Sequence, residues 1–348
     1  MQYSEVNIQN YRGIRDCQIK DLNLVNLFFG KNNCGKSSLL ESIFILSGPS
    51  NPALPVVVNN VRSLVGSKEE NMLIDFYRAN SNNVIQISSA GNNKRKLEIS
   101  MLQSQSKDVS LDSLNQINTE LMGKHYGLKL NFSVGNEDKC YHTELLVKEG
   151  SGDTGKIITD KNYKEDIFTR FMPSCQIHAN ENEMLAEIIK NKKEGAIIDA
   201  LRIIEPKIKT IQLVDNSIMV DVGYAKLLPI NVLGDGVRKI LNITLSIHKC
   251  SNGILLIDEI DNGLHHSIMQ KLWEVIMKTC QEFKVQLFAS THSIDIIKSL
   301  VQVINEHDSK ELPVSAYKLI KKEDDELVAL RYGVKDLSYV IGQEVEVR

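Results

Sequence analysis

The chain has 348 residues, 42% of them hydrophobic and 24% charged, enough to bury a full core without disulfides or metals. A formal net charge of −3 excludes a chain-wide basic footprint for nucleic acid, and no apolar run is long enough to span a bilayer. Six cysteines (Cys17, Cys34, Cys140, Cys175, Cys250 and Cys280) form no CxxC pair, so they read as reduced thiols of a soluble, cytoplasmic protein rather than a disulfide frame or zinc site.

The N-terminus, MQYSEVNIQNYRGI, alternates polar and apolar residues and lacks the apolar core of a signal peptide. Next, LNLVNLFF is an apolar run of strand length, and SSLLESIFIL places apolar residues at helical spacing. Between them, Gly30-Lys31-Asn32-Asn33-Cys34-Gly35-Lys36-Ser37 fits G-x-x-x-x-G-K-[ST] at every fixed position. A strand, a glycine turn and a helix are what phosphate binding needs, because backbone N–H groups and the helix N-terminus then face the phosphate oxygens. In that reading Lys36 reaches the β and γ phosphates and Ser37 offers its hydroxyl to Mg²⁺. A chance glycine turn with a surface lysine is the bland alternative, and the flanking strand and helix argue against it.

Residues Gly48 to Ser67, with three prolines, read as an irregular crossover. From about Leu73 to Ile158 the pattern is strand-like, with hairpins around Gly/Asn turns, and SKDVSLDSLNQINTELMG reads as a polar loop or short helix. ENEMLAEIIKNKKEGAIIDALRII reads as two short helices around Gly195, and KTIQLVDNSIMVDV as a hairpin turning near Asn216. The basic clusters NNKRKLE and KNKKEG read first as solvated tips or helix faces, with DNA contact the lesser possibility. No heptad run persists long enough for a coiled-coil arm.

Gly234-Asp235-Gly236 precedes a helix from about Val237. Small residues ahead of a helix make an anion-binding edge, although ordinary turn and capping chemistry uses the same residues. GILLIDEIDNGLHHS then runs four apolar residues into Asp258-Glu259, as a buried parallel strand would. There Asp258 can hold Mg²⁺ and Glu259 can take a proton from an attacking water. VQLFASTHSIDII is another apolar strand, ending at Ser290-Thr291-His292-Ser293, where His292 can hydrogen-bond a γ-phosphate or its water. His265 and His266, at a helix start, are weaker candidates. The tail reads as a helix and a strand pair around KKEDDELVAL, with Asp324-Asp325 in a charged turn.

In combination and order, NYRGI, GKNNCGKSS, LGDGVRK, LLIDEIDNGLH and STHS resemble the ATP-binding-cassette (ABC) ATPase head of the structural-maintenance-of-chromosomes (SMC) and RecF group, most of all the overcoming-lysogenization-defect (OLD) ATPases. The resemblance implies an α/β fold: an ABC-type P-loop ATPase head with a mostly parallel core sheet, an antiparallel β subdomain and a small helical insertion. It divides the chain into an N-terminal lobe (1–47) with the phosphate loop, an inserted region (48–205), and a C-terminal lobe (206–348). Carried over residue by residue, Arg12 lies near the nucleotide, Asn32 shapes the phosphate loop, and Gly30 through Ser38 cradle ATP. Lys36, Ser37, Asp258 and Glu259 become the hydrolytic set, and His292 the switch histidine. Gly234, Asp235, Gly236 and Arg238 become a signature donated across a homodimer or higher even-numbered oligomer, so that two ATPs with Mg²⁺ are sandwiched between heads. The signature carries Gly234 where transporters have serine, and His265 stands where they usually have aspartate; both departures favour the OLD-like branch.

OLD proteins commonly continue into a Toprim nuclease, and the stretch from His292 to Arg348 is too short for one. The expectation is therefore an ATPase that regulates a separate effector, a Toprim-like or other nuclease or a toxin, in defence against phage or mobile DNA. Rival readings are a RecF-like repair ATPase that grips DNA itself and a nucleotide-gated scaffold with very slow turnover. A transporter subunit and a hexameric AAA+ motor rank below these.

Overall fold

The computed structural model describes residues 2–62, 83–104, 125–136, 139–148, 156–174, 180–306, 313–333 and 336–337. Two large sheets organise it. The first contains β3 (Val25–Phe29), β9 (Thr169–Met172), β13 (Ile254–Ile257), β14 (Gln286–Thr291), β15 (Val314–Lys321) and β16 (Leu327–Tyr332), in the order β16-β15-β3-β14-β13-β9. Its pairings are parallel except that of β15 with β16. All residues of β3, β13 and β14 are buried. Strands covered on both faces are mostly apolar, which explains runs such as ILLI, and the buried Asn26 of VNLFF is satisfied by the Asn23 and Leu287 carbonyls.

The second sheet is antiparallel, ordered β2-β1-β4-β5-β6-β7-β8. It comprises β1 (Glu5–Tyr11), β2 (Ile14–Ile19), β4 (Ile85–Ala90), β5 (Arg95–Ser104), β6 (His125–Val134), β7 (Tyr141–Lys148) and β8 (Lys156–Ile158). These strands alternate, turning Val6, Ile8, Ile85, Ile87, Leu97, Ile99, Leu128 and Leu130 into one apolar core and leaving the other face polar. Helix α1 (Lys36–Ser47) lies between the sheets, and its Leu39, Leu40, Ile43 and Leu46 share a core with Phe28, Leu256 and Phe288. The buried Gln286 side chain fastens the chain start to the parallel sheet: it accepts from the Tyr3 N–H at 2.8 Å and donates to the Tyr3 and Asn23 carbonyls.

The opposite face of the parallel sheet is covered by α5 (Asp235–Lys249), α6 (His266–Phe283) and α7 (Ile294–Glu306), which enclose the fully buried Trp273. Outside them sit α3 (Glu181–Lys190), α4 (Glu194–Arg202) and a three-stranded antiparallel sheet of β10 (Thr210–Val214), β11 (Ser217–Asp221) and β12 (Leu228–Pro229). The turn of the β10–β11 hairpin uses Asp215 and Asn216, both at positive φ, a conformation Asn and Asp tolerate well.

Three local expectations change. The proline-rich crossover contains a helix, α2 (Leu54–Val61), with Pro55 in its first turn, where the missing N–H costs nothing. The break between α3 and α4 falls at Asn191–Lys193, and Gly195 lies inside α4. The cluster NNKRKLE is not all solvated, because Arg95 is fully buried. Arg95 pairs with Glu165 and with Asp166 (3.1 Å) and donates to the Ser47 carbonyl at the end of α1 (2.9 Å). The polar segment SKDVSLDSLNQINTELMG lies outside the described residues.

Candidate functional site

The C-terminal ends of β3, β13 and β14 converge, and the quoted motifs follow them directly. In open α/β sheets this is where ligands bind. After β3 the chain turns through Gly30 (φ 152°), where an added Cβ would lie 2.6 Å from the Leu319 carbonyl oxygen, so only glycine fits. Gly35 opens α1 with no side chain capping the helix, leaving N-terminal N–H groups that suit an anion. Lys36 is buried and folds back over the loop, donating to the Gly30 and Lys31 carbonyls at 2.9 Å each. Asn33 holds a left-handed turn (φ 62°), Cys34 is buried beneath it, and Ser37 and Ser38 begin the helix. The Ser38 hydroxyl accepts from Arg62 at 3.3 Å.

At the end of β13, Asp258 is 9% exposed and accepts from the Ser290 hydroxyl at 2.5 Å. The same hydroxyl accepts from the Glu259 N–H at 2.9 Å. Glu259 has φ 53°, and its carboxylate lies 3.8 Å from Nδ1 of His292. One residue along, Asp261 accepts from the Thr291 hydroxyl at 2.5 Å. Adjacent parallel strands thus lock the acidic turn: β14 supplies hydroxyls at the register where β13 supplies carboxylates.

A cavity of about 650 Å³ opens between these groups, lined by Gly30, Lys31 and Asn32 on one side and by Asp261, His292 and Ser293 on the other. A second, of about 540 Å³, lies on the far side of the loop between Lys31–Cys34 and Lys318–Lys321. The phosphate loop therefore runs between two open spaces, one facing the acids and one facing β15.

Other expected residues lie apart from this cavity. Arg12 (φ 51°) pairs with Glu41 of α1 at 2.9 Å and donates to Asn59 at 2.8 Å, so its guanidinium is engaged beside α1. Glu41 also binds Arg62 at 2.6 Å. Gly234 (φ 97°) and Asp235 start α5 in open surroundings, Gly236 follows against Ile268, and Arg238 pairs with Glu181 at 3.2 Å. None of these residues lines the cavity beside the loop of its own chain. His265 caps α6, accepting from the Ser267 N–H.

Sequence reasoning placed Ser290, Thr291, Asp261 and Lys239 inside the matched motifs without giving them a role, and did not single out Glu41 or Arg62. What each of them does depends on long-range contacts.

Mg²⁺ of the nucleotide-bound kind needs only one or two protein oxygens, with phosphates and waters completing its shell. Asp258 and Ser37 are the right donor types. Among the described residues no group of three or more His, Cys, Asp or Glu could hold a metal alone. Among the described residues no helix is long and apolar enough to cross a membrane.

Comparison with known proteins agrees with this geometry. An ATP/GTP phosphatase of Helicobacter pylori is 24% identical over 369 residues, covering 97% of this chain and 98% of that protein. The DNA replication and repair protein RecF of Ruminiclostridium cellulolyticum is 24% identical over 195 residues, 55% of this chain and 46% of its own length. Among solved structures, an SMC head bound to the C-terminal winged-helix domain of ScpA superposes with a TM-score of 0.51 at 10% identity, covering 97% of this chain and 100% of that one. Residues 25–298 match the family described as "AAA domain, putative AbiEii toxin, Type IV TA system". The chain belongs to that family, and its fold is that of an ABC-type ATPase head, as in SMC heads.

Proposed function

We propose that this protein hydrolyses ATP with Mg²⁺ at composite sites between two heads and uses that cycle to control a separate effector. The single observation that carries the reading is that one cavity separates Gly30–Asn32 of the phosphate loop from Asp261 and His292, beside the turn whose Asp258 and Glu259 are held by Ser290. In this reading the N–H groups of Gly35 to Ser38 and the Lys36 ammonium hold the β and γ phosphates, with Lys36 exchanging its two carbonyl partners for phosphate oxygens. Ser37 and Asp258 would hold the metal, whose contribution is to neutralise phosphate charge. Glu259 orients and deprotonates the attacking water. His292, within reach of Glu259, donates to the γ-phosphate or that water.

Gly234–Gly236 open α5 at an uncapped helix start, with Gly234 in open surroundings and Arg238 one turn further on. This supports their service to a nucleotide held by a second copy. The toxin named in the family description supports a role in conflict with phage or mobile DNA, with a nuclease or toxin as effector. The RecF relative favours a second reading, direct DNA binding, although burial of Arg95 removes one charge from the most basic hairpin.

Light scattering of Glu259→Gln with and without Mg·ATP tests the composite site. Doubling of the mass only with nucleotide is expected. A monomer under both conditions would contradict it.

A further inference from the structure

Lys239 is a lysine almost wholly out of water, 4% exposed, on α5, the helix that begins at Gly234–Gly236. Its Nζ donates to the backbone carbonyl of Asn262, inside the turn that carries the acids. Asp261 and Glu259 are the acidic groups whose charge it feels, and burial nevertheless pushes its pKa down to about 8. An apolar side chain would fill this place at lower cost, because a desolvated cation held by a carbonyl loses more than it gains. A residue kept at a site where its charge is unfavourable needs a local reason, and the turn supplies one. Asp258 and Glu259 are fastened from the β14 side by Ser290, and Asp261 by Thr291. The far limb of the same turn, at Asn262, is fastened from α5 by Lys239.

We propose that Lys239 is a positioning residue for hydrolysis: it ties the acidic turn to the signature helix and thereby fixes Glu259 at positive φ, with its carboxylate beside His292. The inference rests on the reading of Glu259 as the base. Lys239 itself touches neither nucleotide nor metal. Because the lysine sits on the helix that starts at Gly234, displacement of that helix is passed to Glu259 through one hydrogen bond and two charges.

The test is Lys239→Met in the full chain, a substitution of similar length without charge. The expected result separates two quantities that a purely structural lysine would move together. Turnover falls on the order of 10²-fold, as when a base is displaced by about an ångström. Meanwhile affinity for a fluorescent ATP analogue stays within about twofold, and the melting temperature is unchanged or higher. Wild-type turnover in Lys239→Met overturns the proposal. So does a loss of turnover matched by equal losses of affinity and melting temperature. If Lys239→Met does not fold, Lys239→Leu decides: a folded variant with lowered kcat and unchanged KM supports positioning, and full activity overturns it. Glu259→Gln run alongside keeps the failures apart. A normal rate there removes the underlying site reading, whereas a normal rate in Lys239→Met beside an inactive Glu259→Gln removes only this inference.

Discussion

The two halves of the site are prepared in opposite ways. On the acid side, Asp258, Glu259 and Asp261 are fixed before any ligand arrives: two hydroxyls of β14 and the buried Lys239 hold the turn. On the phosphate side, the helix start is uncapped and Lys36 rests on two carbonyls of its own loop. In the proposed reading those carbonyl contacts give way to phosphate oxygens. On that reading preorganisation sits where charge develops in the transition state, and exchangeable contacts sit where the substrate enters and leaves. Substitutions in the loop should therefore weaken binding, and substitutions in the acid half should slow turnover at unchanged affinity.

After removal of the base itself, Lys36→Ala should have the largest effect. Loss of charge-assisted hydrogen bonds to phosphate costs about 2–3 kcal/mol, roughly 30- to 150-fold in affinity, measurable by titration with a fluorescent ATP analogue. Unchanged affinity would remove the loop from the binding site. Ser290→Ala frees both Asp258 and the Glu259 N–H. Loss of such a supporting contact lowers turnover at least about tenfold, and steady-state assays should find it in kcat with affinity preserved. A drop in affinity alone would contradict the division of labour. Thr291→Val releases Asp261, two residues beyond Glu259, and the Ser293 N–H, and should cost about 1 kcal/mol or a fewfold in kcat.

The smallest effect concerns pH. Folding lowers the Lys239 pKa to about 8, so above that pH the unfolded chain binds more protons than the folded one. Its contribution is a penalty present below about pH 8 that fades as pH rises toward the ordinary lysine value. Subtracting the Lys239→Met curve from the wild type in chemical unfolding between pH 7 and 10 should isolate that rise. A flat difference would mean that Asp261 and Glu259, which face Lys239, fully offset its burial.

Much of this was legible because chemistry and local structure coincide in the chain. VNLFF before GKNNCGKSS, ILLI before Asp258-Glu259, and QLF before the Ser290–His292 stretch place each motif at the end of a buried strand, and parallel order then brings them together. What was not legible is what the tertiary fold decides. Lys239 closes the LGDGVRK motif, and only the packing of α5 on the acidic turn shows what its ammonium binds. Arg95 reads as part of a basic tip until Glu165, Asp166 and the end of α1 enclose it. The crossover read as irregular because prolines usually break helices, yet Pro55 falls in the first turn of α2, where they start them.

Glu259→Gln tests the central assignment most directly, with ATP turnover and ATP-analogue affinity measured on the same protein. Removal of a water-orienting base should lower kcat by about 10²- to 10⁴-fold and leave affinity unchanged. A variant that hydrolyses ATP at the wild-type rate would contradict the placement of catalysis at the acidic turn.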